Sequence, residues 1–313
     1  MFRDRPVVGW VLVSGLLVVA LALSAVIGPG GWSGATSGLR WLRIALGLLA
    51  GGTLGLVGAT LQGVLRNPLV DPFTLGVASG AAFGSTVAVS LGRGFGPLAP
   101  VGGFCGAAAT ILLVYLLARV RGRVTTTGLV LAGVIASFLL SSLTMLAVIL
   151  GRRTIGEAVY VMMGHLGVIF TRPVLWLFAG GAVVVALGSA YLFSRARSYD
   201  VASLDEDSAR SLGVDTARLT LVSFLVTSVM VGIVVSFTGA VSFVGLVVPH
   251  LARLFFGPTH GRVMAGSVVG GAALLLASDV AARNIVPGGL PLSVVTALVG
   301  VPFFVYLLRR GLR

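Results

Sequence analysis

Nine carboxylates are the side chains with which this chain could do acid–base or ion chemistry, and only Asp279 lies inside a long apolar stretch. A carboxylate within a membrane-length apolar stretch predicts a proton or ion pathway. Arg283 follows at i+4 on the same helical face, so a structural ion pair is an equal alternative. A proton relay needs several such groups, and the sequence provides no second one in an apolar stretch. We therefore rank proton coupling below an ion pair.

Side chains for metal binding or nucleophilic catalysis are scarce. The run Met162-Met-Gly-His165 contains possible iron ligands, which suggests haem or a metal complex as cargo. A single histidine beside a predicted outer loop is more often structural, so both readings stay open. The lone Cys105 lies in an apolar run and disfavours a disulfide or thiolate framework. The sequence has no paired carboxylates or nucleophile–base set, which disfavours an enzyme, and we expect no cofactor on this chain.

The composition places the chain in a bilayer. Of its 313 residues, 57% are hydrophobic and 10% are charged, whereas a soluble domain carries about 25% charged residues. The net charge of +13 would also suit a nucleic-acid binder. All basic residues are arginines, however, and they occur in ones to threes between apolar runs, not along one stripe, so we expect no nucleic-acid partner. With no lysine, the chain has no Walker A motif and is not itself an ATPase.

Ten apolar segments are long enough to cross a hydrocarbon core of about 30 Å, counting short or broken helices. The run after Arg3 and Arg5 holds about 21 apolar residues, more than the roughly 7–15 of a signal peptide, and predicts a retained first helix. We expect an all-α, polytopic membrane protein with one transmembrane domain over residues 1–313. The predicted segments are Val7–Ile27, Ile44–Leu65, Phe73–Leu91, Leu98–Ala118, Thr127–Leu150, Pro173–Phe193, Leu219–Phe237, Val241–Phe256, Val263–Ala282 and Leu292–Leu308.

The arginines predict an orientation, because short cytoplasmic loops carry the excess of basic residues. With the N-terminus inside, about twice as many arginines fall on the cytoplasmic side as outside. We therefore expect both termini to be cytoplasmic. The arginines predicted outside are Arg40, Arg43, Arg93, Arg152, Arg153, Arg172 and Arg283.

The stretch 62–76, QGVLRNPLVDPFTLG, joins the second and third segments. Asn67 and Asp71 each precede a proline, and a residue before proline is driven out of the helical region. One helix must then end near Arg66, and another can begin at Pro72 with Asp71 as its cap. The sequence predicts a stiff polar hairpin whose structural residues are Gln62, Asn67, Pro68, Asp71, Pro72 and Gly76.

Glycines recur every four residues in the two segments beside this hairpin. In lipid, small residues allow helix backbones to approach closely. We expect one tightly packed face on each helix. The glycines are Gly47, Gly51 and Gly55 in the second segment and Gly76, Gly80 and Gly84 in the third.

Five of the nine carboxylates fall in one long loop, between Asp200 and Asp215. Ser203 and Glu206 form a capping box, and Gly213 supplies a helix stop. A solvated loop is the alternative, but the caps favour a short amphipathic helix that docks on a cytoplasmic partner. Its apolar side would hold Leu204, Ala209 and Leu212, and its polar side Asp205, Asp207 and Arg210.

Two segments carry unusual residues for a membrane span. In the eighth, Pro249 removes a backbone donor and Gly245 loosens the helix, which predicts a broken helix near the cytoplasmic face. In the fifth, Ser137, Ser141 and Thr144 fall at i, i+4 and i+7 and form one polar stripe. Hydroxyls in membrane helices often bond their own backbone, so the stripe is either structural or the lining of a path.

Four blocks of the sequence resemble, in order and spacing, the permease family of ATP-driven importers for iron–siderophore complexes, haem and cobalamin (FecCD type, type II importers). The resemblance implies ten helices per permease in the bacterial cytoplasmic membrane and a homodimer with the path at its axis. It also implies two cytoplasmic ATPase subunits, which hold ATP and Mg, and a substrate-binding protein outside. The blocks are Arg40–Gly80, Leu204–Val214, Phe237–Gly257 and Ala277–Arg310.

The resemblance also implies roles for single residues. By position, Arg40, Arg43 and Arg283 resemble the outer arginines that hold acidic residues of the binding protein, a role that competes with an Asp279–Arg283 pair. The stretch Leu204–Gly213 resembles the cytoplasmic coupling helix of the family. The fifth and last helices resemble the walls of the path, with Ser137, Ser141, Thr144, Ser293, Thr296 and Gly300.

Two histidines relate differently to the family. A serine usually stands where this chain has His165, which leaves a contact with substrate open. His250 follows Pro249 and matches a Pro-His pair that the family carries whatever the substrate, so we expect a structural role for it.

These observations together predict a permease that alternates between outward and inward openings, driven by ATP hydrolysed on partner subunits. The expected substrate is an iron–siderophore complex, haem or cobalamin. The main rival is a secondary transporter powered by an ion gradient. Broken helices and Asp279 favour the rival, whereas the single carboxylate and the docking helix count against it.

Overall fold

Helices account for almost all of the described chain. The computed structural model describes residues 6–27, 34–91, 98–120, 123–150, 163–204, 206–286 and 288–311. Two short strands, β1 (Arg119–Val120) and β2 (Arg123–Val124), pair antiparallel with Arg119 opposite Val124. The helices of the described residues are α1 (Pro6–Val26), α2 (Gly34–Val64), α3 (Val77–Leu91), α4 (Leu98–Ala118), α5 (Thr126–Leu150), α6 (Arg172–Ser194), α7 (Ala196–Ala202), α8 (Glu206–Ser211), α9 (Thr216–Thr238), α10 (Val244–Phe256), α11 (His260–Asn284) and α12 (Leu292–Gly311).

Seven helices in the described ranges are long and apolar enough to cross a membrane, namely α1, α2, α4, α5, α6, α9 and α11. The shorter apolar helices α3, α10 and α12 coincide with the three remaining predicted segments. The helical fold is confirmed, apart from the small strand pair. Ten membrane-crossing helices and cytoplasmic termini stay predictions. Most of α2 is buried, whereas α5 and α6 expose large apolar side chains such as Phe138 and Trp176, as helices bordering lipid or a second chain do.

We name the two ends of the bundle after Arg43, in the N-terminal half of α2 (Gly34–Val64), and Arg66, just beyond the C-terminus of α2. The helix α11 runs in the opposite direction beside it. Asp279, near the end of α11, contacts Arg43, and His260, at its start, packs on Gly63. The Arg43 end and the Arg66 end are therefore opposite faces of one α2–α11 pair.

Backbone-to-backbone packing holds α2 against α11. A Cβ added at Gly51 would collide with the carbonyl oxygen of Gly271, and one at Gly55 with that of Ser267. The glycine face of α3 packs on α4 in the same way. The predicted tight faces are confirmed at Gly51, Gly55, Gly80 and Gly84, where a side chain would push two helix backbones apart. Gly76 does not belong to the face of α3, because it precedes that helix and packs against Gly133 of α5.

The predicted hairpin between α2 and α3 is confirmed, with one change in where the second helix begins. The carboxylate of Asp71 accepts a hydrogen bond from the Phe73 N–H at 3.1 Å, as the cap of a helix that starts at Pro72. That helix is a single 3-10 turn over Pro72–Leu75, and Gly76 follows it in the left-handed conformation with φ of 77°. The third segment therefore starts as a regular α-helix at Val77.

Local hydrogen bonds explain the rest of the hairpin. Arg66 adopts a positive φ of 49° where α2 ends, and the Asn67 side chain accepts a bond from the Leu69 N–H at 3.0 Å. Burial raises the pKa of Asp71 to about 6, although backbone bonds from Phe73 and Phe243 lower it. The bonds of Asn67 and Asp71 to Leu69 and Phe73 lie within the hairpin, as the Asn-Pro and Asp-Pro pairs predicted, and the Phe243 backbone adds a bond from outside it.

The predicted break inside the eighth segment is wrong. The helix α10 runs without interruption over Val244–Phe256 and passes through Pro249. Pro249 cannot donate to the Gly245 carbonyl one turn earlier, and the Gln62 side chain donates to that oxygen instead, at 3.2 Å. Gln62 in turn accepts a 2.6 Å bond from Arg253. A side chain from α2 thus replaces the missing backbone donor and makes the proline tolerable.

The actual break precedes α10. Gly239 and Phe243 both have positive φ, 69° and 68°, in the connection from α9. Gly245 serves close packing, because a Cβ there would lie 2.5 Å from Cδ of Pro72. The ring of His250 stands edge-on to Phe303 of α12, with centroids 6.1 Å apart. This contact fits the structural role expected for His250.

Candidate functional site

A cluster of three charged side chains lies at the Arg43 end. The Asp279 carboxylate is 1% exposed and receives bonds from Arg43 Nε at 3.0 Å and Arg43 Nη2 at 2.7 Å. Arg283 Nε lies 3.1 Å from the same carboxylate. Two guanidiniums surround one carboxylate, so the cluster carries one excess positive charge. This arrangement can hold an anionic group from outside while keeping Asp279 paired.

The Asp279–Arg283 ion pair predicted from the i+4 spacing is confirmed. The bidentate partner, Arg43, was missed, because it is 236 residues away in sequence and no local spacing links the two. The side chains of Arg43 and Arg283 are 26% and 11% exposed, so each presents only part of its guanidinium to a partner. Their docking role stays a prediction.

Arg40 lies on the turn of α2 before Arg43. Its Nη1 donates to the carbonyl of Ala25 at 2.9 Å and to that of Val26 at 3.3 Å, at the end of α1. A cation there also offsets the negative end of the α1 dipole. Arg40 thus ties α1 to α2 and extends the positive surface of the Arg43 end, whereas its contact with a binding protein is untested.

His165 lies beside this cluster. Its backbone N–H donates to the Thr238 carbonyl at 2.7 Å, and its ring borders Gly167, as Arg43 does. The ring also lines a cavity of about 260 Å³ together with Ser85 and others. Burial, followed by the Arg43 guanidinium, lowers the pKa of His165 from its ordinary 6.5 to about 4, although Asp279 raises it. The imidazole is therefore neutral at neutral pH.

Metal ligation by His165 stays a prediction. Among the described residues, no group of three or more His, Cys, Asp or Glu side chains comes together as a metal site. Of the two methionines in the same run, Met162 lies outside the described residues, and the carbonyl of Met163 accepts a 3.0 Å bond from the Ser293 N–H.

The predicted capping box in the loop at the Arg66 end is wrong. Ser203 is the C-cap residue that follows α7, and its hydroxyl donates back to the Asp200 carbonyl at 2.6 Å. The competing bond within α7 wins because Ser203 is already in the helical conformation, which an N-cap does not adopt. Glu206 begins the six-residue α8, and Asp205 lies outside the described residues.

The helix stop at Gly213 is confirmed. Gly213 has a φ of 79°, and its N–H donates to the Arg210 carbonyl at 2.9 Å. The Val214 N–H donates to the Ala209 carbonyl at 2.9 Å, which completes a Schellman motif. Local chemistry alone therefore determined this end of α8.

The three residues of the proposed apolar side differ in burial. Ala209 is fully buried, whereas Leu204 and Leu212 are 51% and 63% exposed. The buried alanine attaches the segment to the bundle, and the two leucines face away from it, beside the exposed Arg210. Two exposed leucines at one end of a membrane protein suit an apolar contact with another protein.

The contacts that hold this segment to the membrane helices come from α7 and were missed. Asp200 Oδ1 accepts a 2.8 Å bond from the His260 backbone N–H and lies 2.8 Å from His260 Nδ1. The Ala202 carbonyl accepts a 2.9 Å bond from Arg66 Nε. Asp200 appeared in the sequence only as one member of an acidic cluster, and the spacing of 60 residues to His260 carries no signal.

Of the six residues assigned to the walls of a path, Thr144, Thr296 and Gly300 are buried within the described chain. Thr144 and Thr296 are 1% exposed, and each hydroxyl bonds a carbonyl of its own helix. The interior packing of these positions satisfies their hydroxyls without water. Ser293 Oγ donates to Ala240 at 2.6 Å, and Gly300 packs on Phe243.

Thr144, Thr296 and Gly300 therefore do not line an open path within the described chain. Ser141 is exposed and Ser137 is half-buried on α5. Their place on a path stays a prediction.

Comparison with known proteins places these features in a family. Residues 11–310 match the model of the FecCD transport family. The cobalamin import system permease BtuC of Halobacterium salinarum is 40% identical over 276 residues, or 87% of this chain and 72% of that protein. The vitamin B12 import system permease BtuC of Escherichia coli is 35% identical over an alignment 322 residues long, which covers 99% of this chain and 97% of that protein.

A solved structure is similar over the same extent. It is reported as an inward-facing conformation of a metal-chelate type ABC transporter, and it matches with a TM-score of 0.84 and 31% sequence identity. The match covers 97% of this chain and 99% of that one. Both the sequence and the helix arrangement are thus shared nearly from end to end.

Proposed function

The chain belongs to the FecCD transport family, and from that premise we propose that it is the permease through which an ATP-driven importer takes up a metal chelate by alternating access. It is an integral membrane protein of the ABC-transporter permease class. The proposed substrate is an iron complex or cobalamin, the substrate named for the two BtuC relatives. Two copies form the path, and separate ATPase subunits and a binding protein complete the importer.

The observation that carries the proposal is the contrast between the two ends of the α2–α11 pair. The Arg43 end presents excess positive charge on Arg43 and Arg283, which attracts acidic side chains of a binding protein. The Arg66 end presents Leu204 and Leu212, which suit an apolar cleft on an ATPase. One chain with a different docking surface at each end is what an importer needs.

The division of labour follows from the composition. The chain has no lysine and thus no Walker A motif, so nucleotide must be bound by partner subunits. Those subunits drive the cycle by contacting α7 and α8 differently in their nucleotide-bound and free states.

A secondary transporter driven by an ion gradient is less well supported. Its required carboxylate, Asp279, is held by two guanidiniums and sits 1% exposed. A buried carboxylate that is bonded by two guanidiniums orients those arginines and balances part of their charge. Asp279 therefore already has a structural role, and the sequence places no second carboxylate in an apolar stretch to form a relay with it.

Uptake into vesicles tests the proposal. The permease is reconstituted with its ATPase subunits and binding protein, and uptake of cobalamin and of a ferric hydroxamate is measured with ATP, without ATP and with an uncoupler. We expect uptake of one probe that requires ATP and survives the uncoupler. Uptake that requires the gradient and proceeds without ATP would establish the secondary transporter instead.

A further inference from the structure

Three neighbouring residues of α7 each hold a different membrane helix. Tyr199 Oη lies 2.9 Å from Ser223 Oγ of α9, Asp200 bonds His260 of α11, and the Ala202 carbonyl bonds Arg66 at the end of α2. A seven-residue helix with three such attachments cannot shift without pulling on the helices it holds. The short helix α7, not α8, is therefore the mechanical link between the Arg66 end and the bundle.

The bond to α11 is the most specific of the three. Thr259, the residue at the N-cap of α11, makes no side-chain cap bond. Asp200 supplies the cap from α7 instead, because its Oδ1 accepts from the first N–H of α11 and lies equally close to the His260 ring. The His260 ring is also wedged against Gly63, where a Cβ would collide with Nε2. His260 thus joins α7, α11 and α2 at one point.

The far end of α11 carries the charged cluster of the Arg43 end. His260 and Asp279 are separated by about 29 Å along the helix axis. Between them, Gly271 and Ser267 contact the α2 backbone directly, so α2 and α11 move as one body. A displacement applied at His260 therefore reaches Asp279 and its two arginines with little loss.

We propose that the Asp200–His260 contact is the positioning contact that passes movement of α7 and α8 along α11 to the Arg43–Asp279–Arg283 cluster. Binding-protein contact at one end and nucleotide turnover at the other are coupled through it. This inference rests on the proposed function, since it assigns the internal link between the two docking surfaces.

The test compares Asp200→Ala, His260→Ala and the double variant in the complex with ATPase subunits. Basal ATP hydrolysis, its stimulation by the loaded binding protein, and substrate taken up per ATP are measured. We expect intact assembly and basal hydrolysis, with stimulation reduced about fivefold or more. The double variant should be no worse than either single one, because both remove the same contact. Thr259→Ala, one residue away and without a cap bond, is the matched control and should behave as wild type.

Each outcome decides a different question. Stimulation at wild-type level in Asp200→Ala, or equal losses of basal and stimulated hydrolysis, would overturn the positioning role. If the alanine variants fail to assemble, Asp200→Asn tests the same contact. Its amide oxygen is a weaker acceptor, so the complex should assemble and its ATP hydrolysis should be stimulated less than in wild type but more than in the alanine variants. A wild-type complex that shows no stimulation and no ATP-dependent uptake would instead refute the proposed function.

Discussion

The two ends of the molecule place their paired carboxylates in different environments, buried at the Arg43 end and partly exposed at the Arg66 end. At the Arg43 end, Asp279 and its arginines sit on two long helices and are largely buried. At the Arg66 end, Asp200 has a side chain that is 37% exposed and sits on a short helix beside Leu204 and Leu212. Breaking a buried pair leaves an uncompensated charge and costs much more than breaking an exposed one. Substitutions should therefore impair folding at the first end and coupling at the second.

The largest effect is expected from Asp279→Ala. The substitution leaves two guanidiniums close together without a carboxylate, and we expect it to lower the free energy of unfolding by about 3–5 kcal/mol. Thermal unfolding of the chain in detergent measures the loss. The matched control is Asp215→Ala, which removes an exposed carboxylate that caps α9 and should cost about 1 kcal/mol. Equal losses for the two variants would contradict the contrast between the ends.

A smaller effect on stability but a large one on assembly is expected from Leu204→Glu with Leu212→Glu. Both side chains are more than half exposed, so the melting temperature should stay near that of wild type. Co-purification of the ATPase should fall about tenfold or more, since each buried leucine contributes about 1.5–3 kcal/mol. The control pair, Leu204→Met with Leu212→Met, keeps the surface apolar and should retain the ATPase. Unchanged recovery with the glutamates would remove the docking assignment.

The smallest expected effect is a pH dependence of the melting temperature, caused by His165 at the Arg43 end. The pKa of His165 is about 4 in the folded chain, below its ordinary value of 6.5, so the unfolded chain binds this proton more readily. The contribution of the neutral His165 ring to the free energy of unfolding is fully present above pH 6.5 and declines as the pH falls from 6.5 to 4. His165→Ser should reduce the difference in melting temperature between pH 7.5 and pH 5. An equal difference in both proteins would show that other groups cause it.

The sequence by itself determined which segments are helices and how several of them end. Apolar run length predicted the spans, the Asp-Pro pair predicted the cap at Asp71, and Gly213 predicted the end of α8. The i+4 spacing predicted the Asp279–Arg283 pair. These features depend on residues within about one helical turn of each other, where spacing along the chain and distance in space are nearly the same.

Only the tertiary structure decided which helices share a polar group. Gln62 satisfies the carbonyl that Pro249 leaves free, so a helix that looked broken is continuous. Arg43 joins Asp279, and Asp200 caps α11, across 236 and 60 residues of sequence. Such partners are selected by how the glycine faces of the helices pack, since an approach of two backbones brings distant side chains into contact. That selection is a property of the whole fold, which no local pattern of residue types encodes.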